Sequence, residues 1–127
     1  MDNTATVQPK PTLFERLGGE ANVRKIVNDV LDKNSRNPLI AHHFNKTDMK
    51  SLKEKAFEFF SMGTGGPHQY AGRDMRTAHA DMNISLKEYN SATEDTLSAL
   101  DENGVGEAEK NEVLAILEHL KADIVER

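Results

Sequence analysis

GGPHQYAGRDMRTAH, residues 65–79, is the stretch on which the fold turns. It lies at the end of a segment, 63–73, that holds four of the chain's eight glycines and a proline. No regular element survives that composition. A short helix is predicted next, over 74–81, and it carries His79 with Met75, Ala78 and Met82 at i−4, i−1 and i+3. An imidazole held among apolar neighbours and shielded from water suits an iron ligand. The same spacing is also that of a half-buried histidine with no ligand at all, and on the residues alone both readings stand.

Working outward, helical signals run in both directions. Upstream, Thr12-x-x-Glu15 is a capping box that opens a short helix with Leu13, Phe14 and Leu17 on its apolar face. Gly18-Gly19 ends it. Val23, Ile26, Val27, Val30 and Leu31 then recur at helical spacing over 20–33. A break at 34–38 leaves room for a turn or two over 39–44, and Asp48 can cap a helix over 49–62 with Leu52, Ala56, Phe59 and Phe60 as its stripe. Downstream, Ser85-x-x-Glu88 is a second capping box. It opens a helix over 86–103 whose inner face carries Tyr89, Ala92, Thr93, Thr96, Leu97 and Leu100. After Gly104 and Gly106 a last helix, 107–125, aligns Val113, Ile116, Leu117, Leu120 and Ile124. No segment alternates with period two for long enough to make a strand. The expected class is all-α, helices stacked around one core. Residues 1–11, polar with two prolines, read as a flexible arm ahead of a single domain over 12–127.

The bulk properties narrow the functional classes. A formal net charge of −5 argues against nucleic acid, whose phosphates must be met by Lys and Arg. There is no cysteine, which removes disulfides, thiolate nucleophiles and zinc–thiolate sites. No apolar run approaches the roughly 20 residues that span a bilayer, and the polar start lacks a secretory signal, so a cytoplasmic protein is expected. Walker A, His-Glu-x-x-His, G-x-S-x-G and EF-hand patterns are all missing. Asp101, Glu102, Glu107 and Glu109 read as a solvated helix end. His42 and His43 are adjacent, about 100° apart on a helix, and are not expected to share a metal. His68 and His119 read as surface or half-buried histidines.

Taken together, the motifs resemble those of the group I truncated haemoglobins over residues 12–125. The carrying segments are Leu13-Phe14-Glu15-Arg16-Leu17-Gly18-Gly19, His43-Phe44 with Thr47-Asp48-Met49, Gly65-Gly66-Pro67 through Tyr70, Gly72-Arg73 and Met75 to Ala78-His79, and the tail from Val113-Leu114 to Lys121-Ala122-Asp123-Ile124-Val125. The resemblance implies a shortened globin, with two helices stacked crosswise on two others around a b-type haem. It implies His79 as the proximal iron ligand and Phe44 as the phenylalanine wedged against the haem. Phe59 and Phe60 would line the distal side. Met75, Met82, Ile84, Tyr89 and Ala92 would contact the porphyrin from the proximal and inner sides, and Tyr70 and Arg73 would meet the propionates. For Arg73 a plain surface charge is an equal reading.

The distal side departs from the family pattern. Leu31 stands where a tyrosine is common, and Leu52 where a polar residue, often glutamine, is usual. Neither leucine donates a hydrogen bond. Lys55 shares a helix face with Leu52 and Phe59 at i, i+3, i+7. In part of the family the residue at this position binds the iron itself. A lysine does so only without its proton; otherwise it snorkels to solvent or a propionate. Ala122 occupies the place of the histidine that some relatives join covalently to the haem, so a non-covalent haem is expected. Three functions follow. The first is binding of oxygen, nitric oxide or carbon monoxide by a monomer, with nitric oxide dioxygenation sustained by a separate reductase. The second is a six-coordinate haem for electron transfer or redox sensing, closed by Lys55. The third is a haem-free helical interaction module.

Overall fold

The computed structural model describes residues 11–126. The arm expected over 1–11 therefore lies, apart from Pro11, outside the described residues. Six α-helices follow in order, with one 3₁₀ turn between the second and third: α1 (Leu13–Arg16), α2 (Gly19–Arg36), the turn Ala41–Phe44, α3 (Met49–Gly63), α4 (Met75–Ala78), α5 (Leu86–Glu102) and α6 (Glu107–Ile124). Both capping boxes form as reciprocal hydrogen-bonded pairs, Thr12 with Glu15 and Ser85 with Glu88. Asp48 caps α3 by accepting from the amides of Lys50 and Ser51. Among the described residues the extended pairing is limited to one isolated parallel bridge, Ile84 with Val125.

The helices form two crossed pairs. α2 packs on α3, α5 packs on α6, and α2 crosses α5 to join the layers. Val23 and Ile26 of α2, Leu100 of α5 and Val113 of α6 meet at the crossing with at most 1% exposure, so this is where the chain buries most completely. Such close-packed burial is the main favourable term in folding. α1 closes one end: Leu13, Phe14 and Leu17 are buried, and the Phe14 amide donates to the carbonyl of Thr64 at 2.9 Å.

Two glycines allow these approaches. Gly18 has φ +109°, a left-handed conformation, and a Cβ there would stand 2.7 Å from the Asn22 side chain. At Gly66 a Cβ would meet the Ser61 hydroxyl at 2.2 Å and the Phe14 ring at 2.6 Å, so only glycine lets the loop after α3 lie on α1.

Two elements differ from the sequence reading. The helix expected over 74–81 spans only Met75–Ala78, because Asp81 and Asn83 take left-handed conformations, φ +66° and +50°, that turn the chain toward α5. α3 buries Phe57 (1% exposed) and Ser61, while the stripe Leu52, Ala56, Phe59 and Phe60 is only half-buried. The guanidinium of Arg24 caps the Phe57 ring at 4.0 Å from its centroid and pairs with Glu54 at 2.7 Å. α3 is thus fastened to α2 by a face other than its most obvious apolar one.

Candidate functional site

The half-buried stripe of α3 faces away from its packing on α2, and the space between it and the opposite layer is the candidate cleft. α3 leans on α2 and has little direct packing with those three helices. Leu52, Ala56 and Phe60 of α3, Phe44, and Leu97, Ile116 and Leu117 of the opposite layer pack on the core cluster yet remain partly exposed. Apolar surface left open in this way costs about 25 cal/mol per Å² relative to burial. Both layers therefore carry apolar surface that an inserted apolar group could cover.

On the proximal side the chain spends its polar groups on holding one imidazole. Asp74 caps α4, its carboxylate accepting from the Thr77 amide at 3.4 Å, and the bonds with Thr77 hold it below the usual carboxylate range. His79 follows as the C-terminal cap of α4 and is half-buried. Its Nδ1 donates to the carbonyl of Met75 at 2.8 Å. A carbonyl can only accept, so this bond puts the imidazole proton on Nδ1 and leaves the Nε2 lone pair outward. Nε2 itself has no hydrogen-bond partner among the described residues. The segment is tied at its far end too: the Glu126 amide donates to the Ile84 carbonyl at 2.7 Å, and Arg76 pairs with Asp123 of α6 at 3.1 Å. An oriented, half-buried histidine with a free second nitrogen is the donor set that a haem iron needs.

The inner wall is α5. Tyr89 is buried, and its hydroxyl donates to the Leu117 carbonyl at 2.6 Å, locking α5 to α6. Burial pushes this phenol up to about 12, so it stays protonated. Ala92 is half-buried. Thr93 and Thr96 return their hydroxyls to the carbonyls of Tyr89 and Ala92, at 3.0 and 3.1 Å, so neither needs a partner in the cleft. Met75, Met82 and Ile84 are half-buried along the proximal edge.

On the distal side Leu31 is buried within the core cluster, and Leu52 and Phe59 are half-buried. Lys55 is exposed, and its ammonium makes no hydrogen bond or ion pair among the described residues. The next lysine on α3, Lys53, is by contrast paired with Asp32 at 2.6 Å. Phe59 takes the edge of the Tyr70 ring at a centroid distance of 5.1 Å. The Tyr70 hydroxyl donates to the Arg73 carbonyl at 2.5 Å, which closes the loop on itself; the Arg73 guanidinium is exposed.

Of the remaining histidines, His68 and His119 are half-buried and exposed, respectively, as expected, whereas His42 and His43 are not placed as expected. His68 is wedged under the loop after α3, its Nδ1 2.8 Å from the Ser61 hydroxyl and its ring edge-on to Phe57 at 4.7 Å. His42 and His43 were expected to diverge, yet their rings lie 4.0 Å apart and both Nε2 atoms approach one oxygen of Glu88, at 3.5 and 3.2 Å. Local spacing marks Glu88 only as a capping residue. Its approach to the histidines is a tertiary contact across 45 residues of sequence, and local spacing carries no signal of it. The acidic helix end is largely solvated, as expected, and its carboxylates join surface ion pairs. Lys110 bridges Asp101 and Glu107, Lys33 pairs with Glu102, and Arg16 bridges Glu109 and Glu112.

Comparison with known proteins agrees with this geometry. A family model described as bacterial-like globin matches residues 12–126. A group 1 truncated hemoglobin of Tetrahymena thermophila is 30% identical over 117 residues, covering 92% of this chain and 97% of the relative. The crystal structure of the truncated hemoglobin from Tetrahymena pyriformis, in its Fe(III) form, superposes with a TM-score of 0.88 at 31% identity, over 92% of this chain and 100% of that one. The 2/2 hemoglobin from Synechococcus sp. PCC 7002, solved in the cyanomet state with covalently attached heme, superposes with a TM-score of 0.85 at 26% identity, over 92% and 100%.

Proposed function

Because the chain belongs to the group I truncated haemoglobins, we propose that it holds one non-covalent b-type haem in the cleft, with His79 as the iron's protein ligand, and that it binds small diatomic gases there. The observation that carries this reading is the bond from His79 Nδ1 to the Met75 carbonyl, which leaves the other ring nitrogen with no partner among the described residues. When bound, the haem supplies an iron that takes up oxygen, nitric oxide or carbon monoxide and supports nitric oxide dioxygenation with a separate reductase. The chain's own residues do the rest. The Met75 carbonyl fixes the imidazole's tautomer. Phe44, Leu52, Phe59, Phe60, Met82, Ile84 and Ala92 exclude water, and Tyr89 keeps the inner wall rigid. Arg73, exposed at the loop, is the cation available to a propionate, whereas the Tyr70 hydroxyl is already engaged by the loop backbone.

Titration of the haem-free protein with haemin tests the reading. We expect saturation at one equivalent with a strong Soret band, and complete extraction of the haem into acidified organic solvent. No Soret band would leave the helical interaction module standing, and haem retained after extraction would mean a covalent link.

Leu31 and Leu52 predict a gas site without a hydrogen-bond donor from either position, and so rapid oxygen release. Leu31→Tyr should slow release about tenfold, since a hydrogen bond contributes about 1 kcal/mol or somewhat more. Stopped-flow oxygen displacement measures it. Slow release already in the wild type would reveal another donor, Lys55 first.

A second reading has its own observation. Lys55 shares a face of α3 with Leu52 and Phe59, is exposed, and has no anionic partner among the described residues. An amine there can serve as an internal distal ligand, making the protein a six-coordinate haem for electron transfer or redox sensing.

A further inference from the structure

We propose that His42, His43 and Glu88 form a second site, separate from the haem cleft, for one divalent transition-metal ion of imidazole preference, of which Zn²⁺ is the type. The three side chains each offer one ligand atom, and these atoms lie within 4.8 Å of one another. His43 Nε2 stands 3.2 Å and His42 Nε2 3.5 Å from the same Glu88 Oε2. A tetrahedral ion with bonds near 2.0–2.1 Å separates its ligand atoms by about 3.3 Å. Two of the three separations are already close to that value, and the third lies within 4.8 Å.

The ligands are held for independent reasons. Glu88 Oε1 accepts from the Ser85 amide at 2.9 Å as half of the capping box, which fixes the carboxylate and leaves Oε2 directed at the histidines. The turn that carries the histidines is pinned by the Ala41 amide donating to the Asn37 carbonyl at 2.8 Å and the His43 amide donating to the Ile40 carbonyl at 3.0 Å. The rings lie 4.0 Å apart, tilted by 38°, with both Nε2 atoms approaching Glu88 Oε2. His43 and Glu88 are sheltered at 14% and 15% side-chain exposure, while His42 is 59% exposed. The site is therefore backed by protein and open to arriving ions, with room for water as a fourth ligand. Two neutral imidazoles and one carboxylate are a donor set that zinc takes in proteins. Without an ion, His43 Nε2 is hydrogen-bonded to the Glu88 carboxylate and His42 Nε2 lies beside the same oxygen. An ion bound through the Nε2 lone pairs of the Nδ1–H tautomers and through the Glu88 carboxylate would clamp the 41–44 turn to the start of α5.

Calorimetric titration of the haem-loaded protein with Zn²⁺, in a buffer that does not chelate, tests the site. Haem occupancy keeps His79 out of competition. We expect one saturable equivalent and a rise in the thermal midpoint on adding Zn²⁺. His42→Asn and Glu88→Gln should each weaken binding at least about tenfold and abolish the thermal shift. Glutamine preserves the capping box, and His42 is exposed, so both variants should fold. His119→Asn should bind as the wild type does. Affinity weaker than about 1 mM, or binding unaltered in both variants, would overturn the assignment.

Discussion

Replacing His79 with alanine is expected to remove stable haem binding, the largest effect of any single substitution in this chain. The partners that merely orient a ligating histidine are worth roughly 10–100-fold in metal affinity, so loss of the ligand itself should weaken haemin binding by more than about a hundredfold. The half-buried walls around Leu52, Phe60, Leu97, Ile116 and Leu117 would still attract haemin weakly through their apolar surface. The variant should therefore show a broad, weak Soret band rather than none. His79→Gly supplies the sharper test, because it leaves space where the ring stood. Added imidazole should restore the wild-type spectrum if the missing nitrogen was the ligand. A variant with wild-type haem affinity and spectrum, in need of no imidazole, would sink the assignment.

How much of this was legible in the sequence depended on whether the signal was local. The capping boxes at Thr12 and Ser85 and the glycine segment before His79 act within a few residues, and the structure places helix ends where they predict. α3 shows the opposite case. The helical period picked out Leu52, Ala56, Phe59 and Phe60, but the helix has a second apolar face built on Phe57, and that is the one buried against α2. A period reveals that a face is apolar; it does not say whether protein or a ligand covers it. A stripe that is strongly apolar yet half-exposed in the folded chain therefore points to the cleft. His42, His43 and Glu88 failed to register for a third reason: the angle between adjacent residues argued against a shared partner, while the rings turn about their own side-chain bonds to reach one.

Lys55→Ala is expected to have the second large effect, and it separates an open gas site from a closed one. The case for closure starts from what the distal side lacks. Leu31 and Leu52 offer neither a lone pair nor a proton, so nothing on those positions competes with a side chain entering from the rim. Lys55 stands on that rim between Leu52 and Phe59 on the helix surface, exposed and free of any carboxylate among the described residues. No salt bridge has to break for it to turn inward. An amine ligates only after losing its proton, so acid and iron compete for the same lone pair. With Lys55 as ligand, the haem-loaded protein should be low-spin and six-coordinate near neutral and alkaline pH, and should pass to a high-spin form as pH falls and the amine takes up its proton. Lys55→Ala should be high-spin across that range, and carbon monoxide should bind to it at least about tenfold faster, which is the scale set by removing roughly 1.4 kcal/mol of opening cost. Lys55→Met keeps an apolar stem of similar length without the amine. It should behave as the alanine variant does, which distinguishes loss of the ligand from loss of packing. A wild-type spectrum that is high-spin at every pH and unchanged in both variants would return Lys55 to the pocket edge, and the distal side would then be an open apolar chamber.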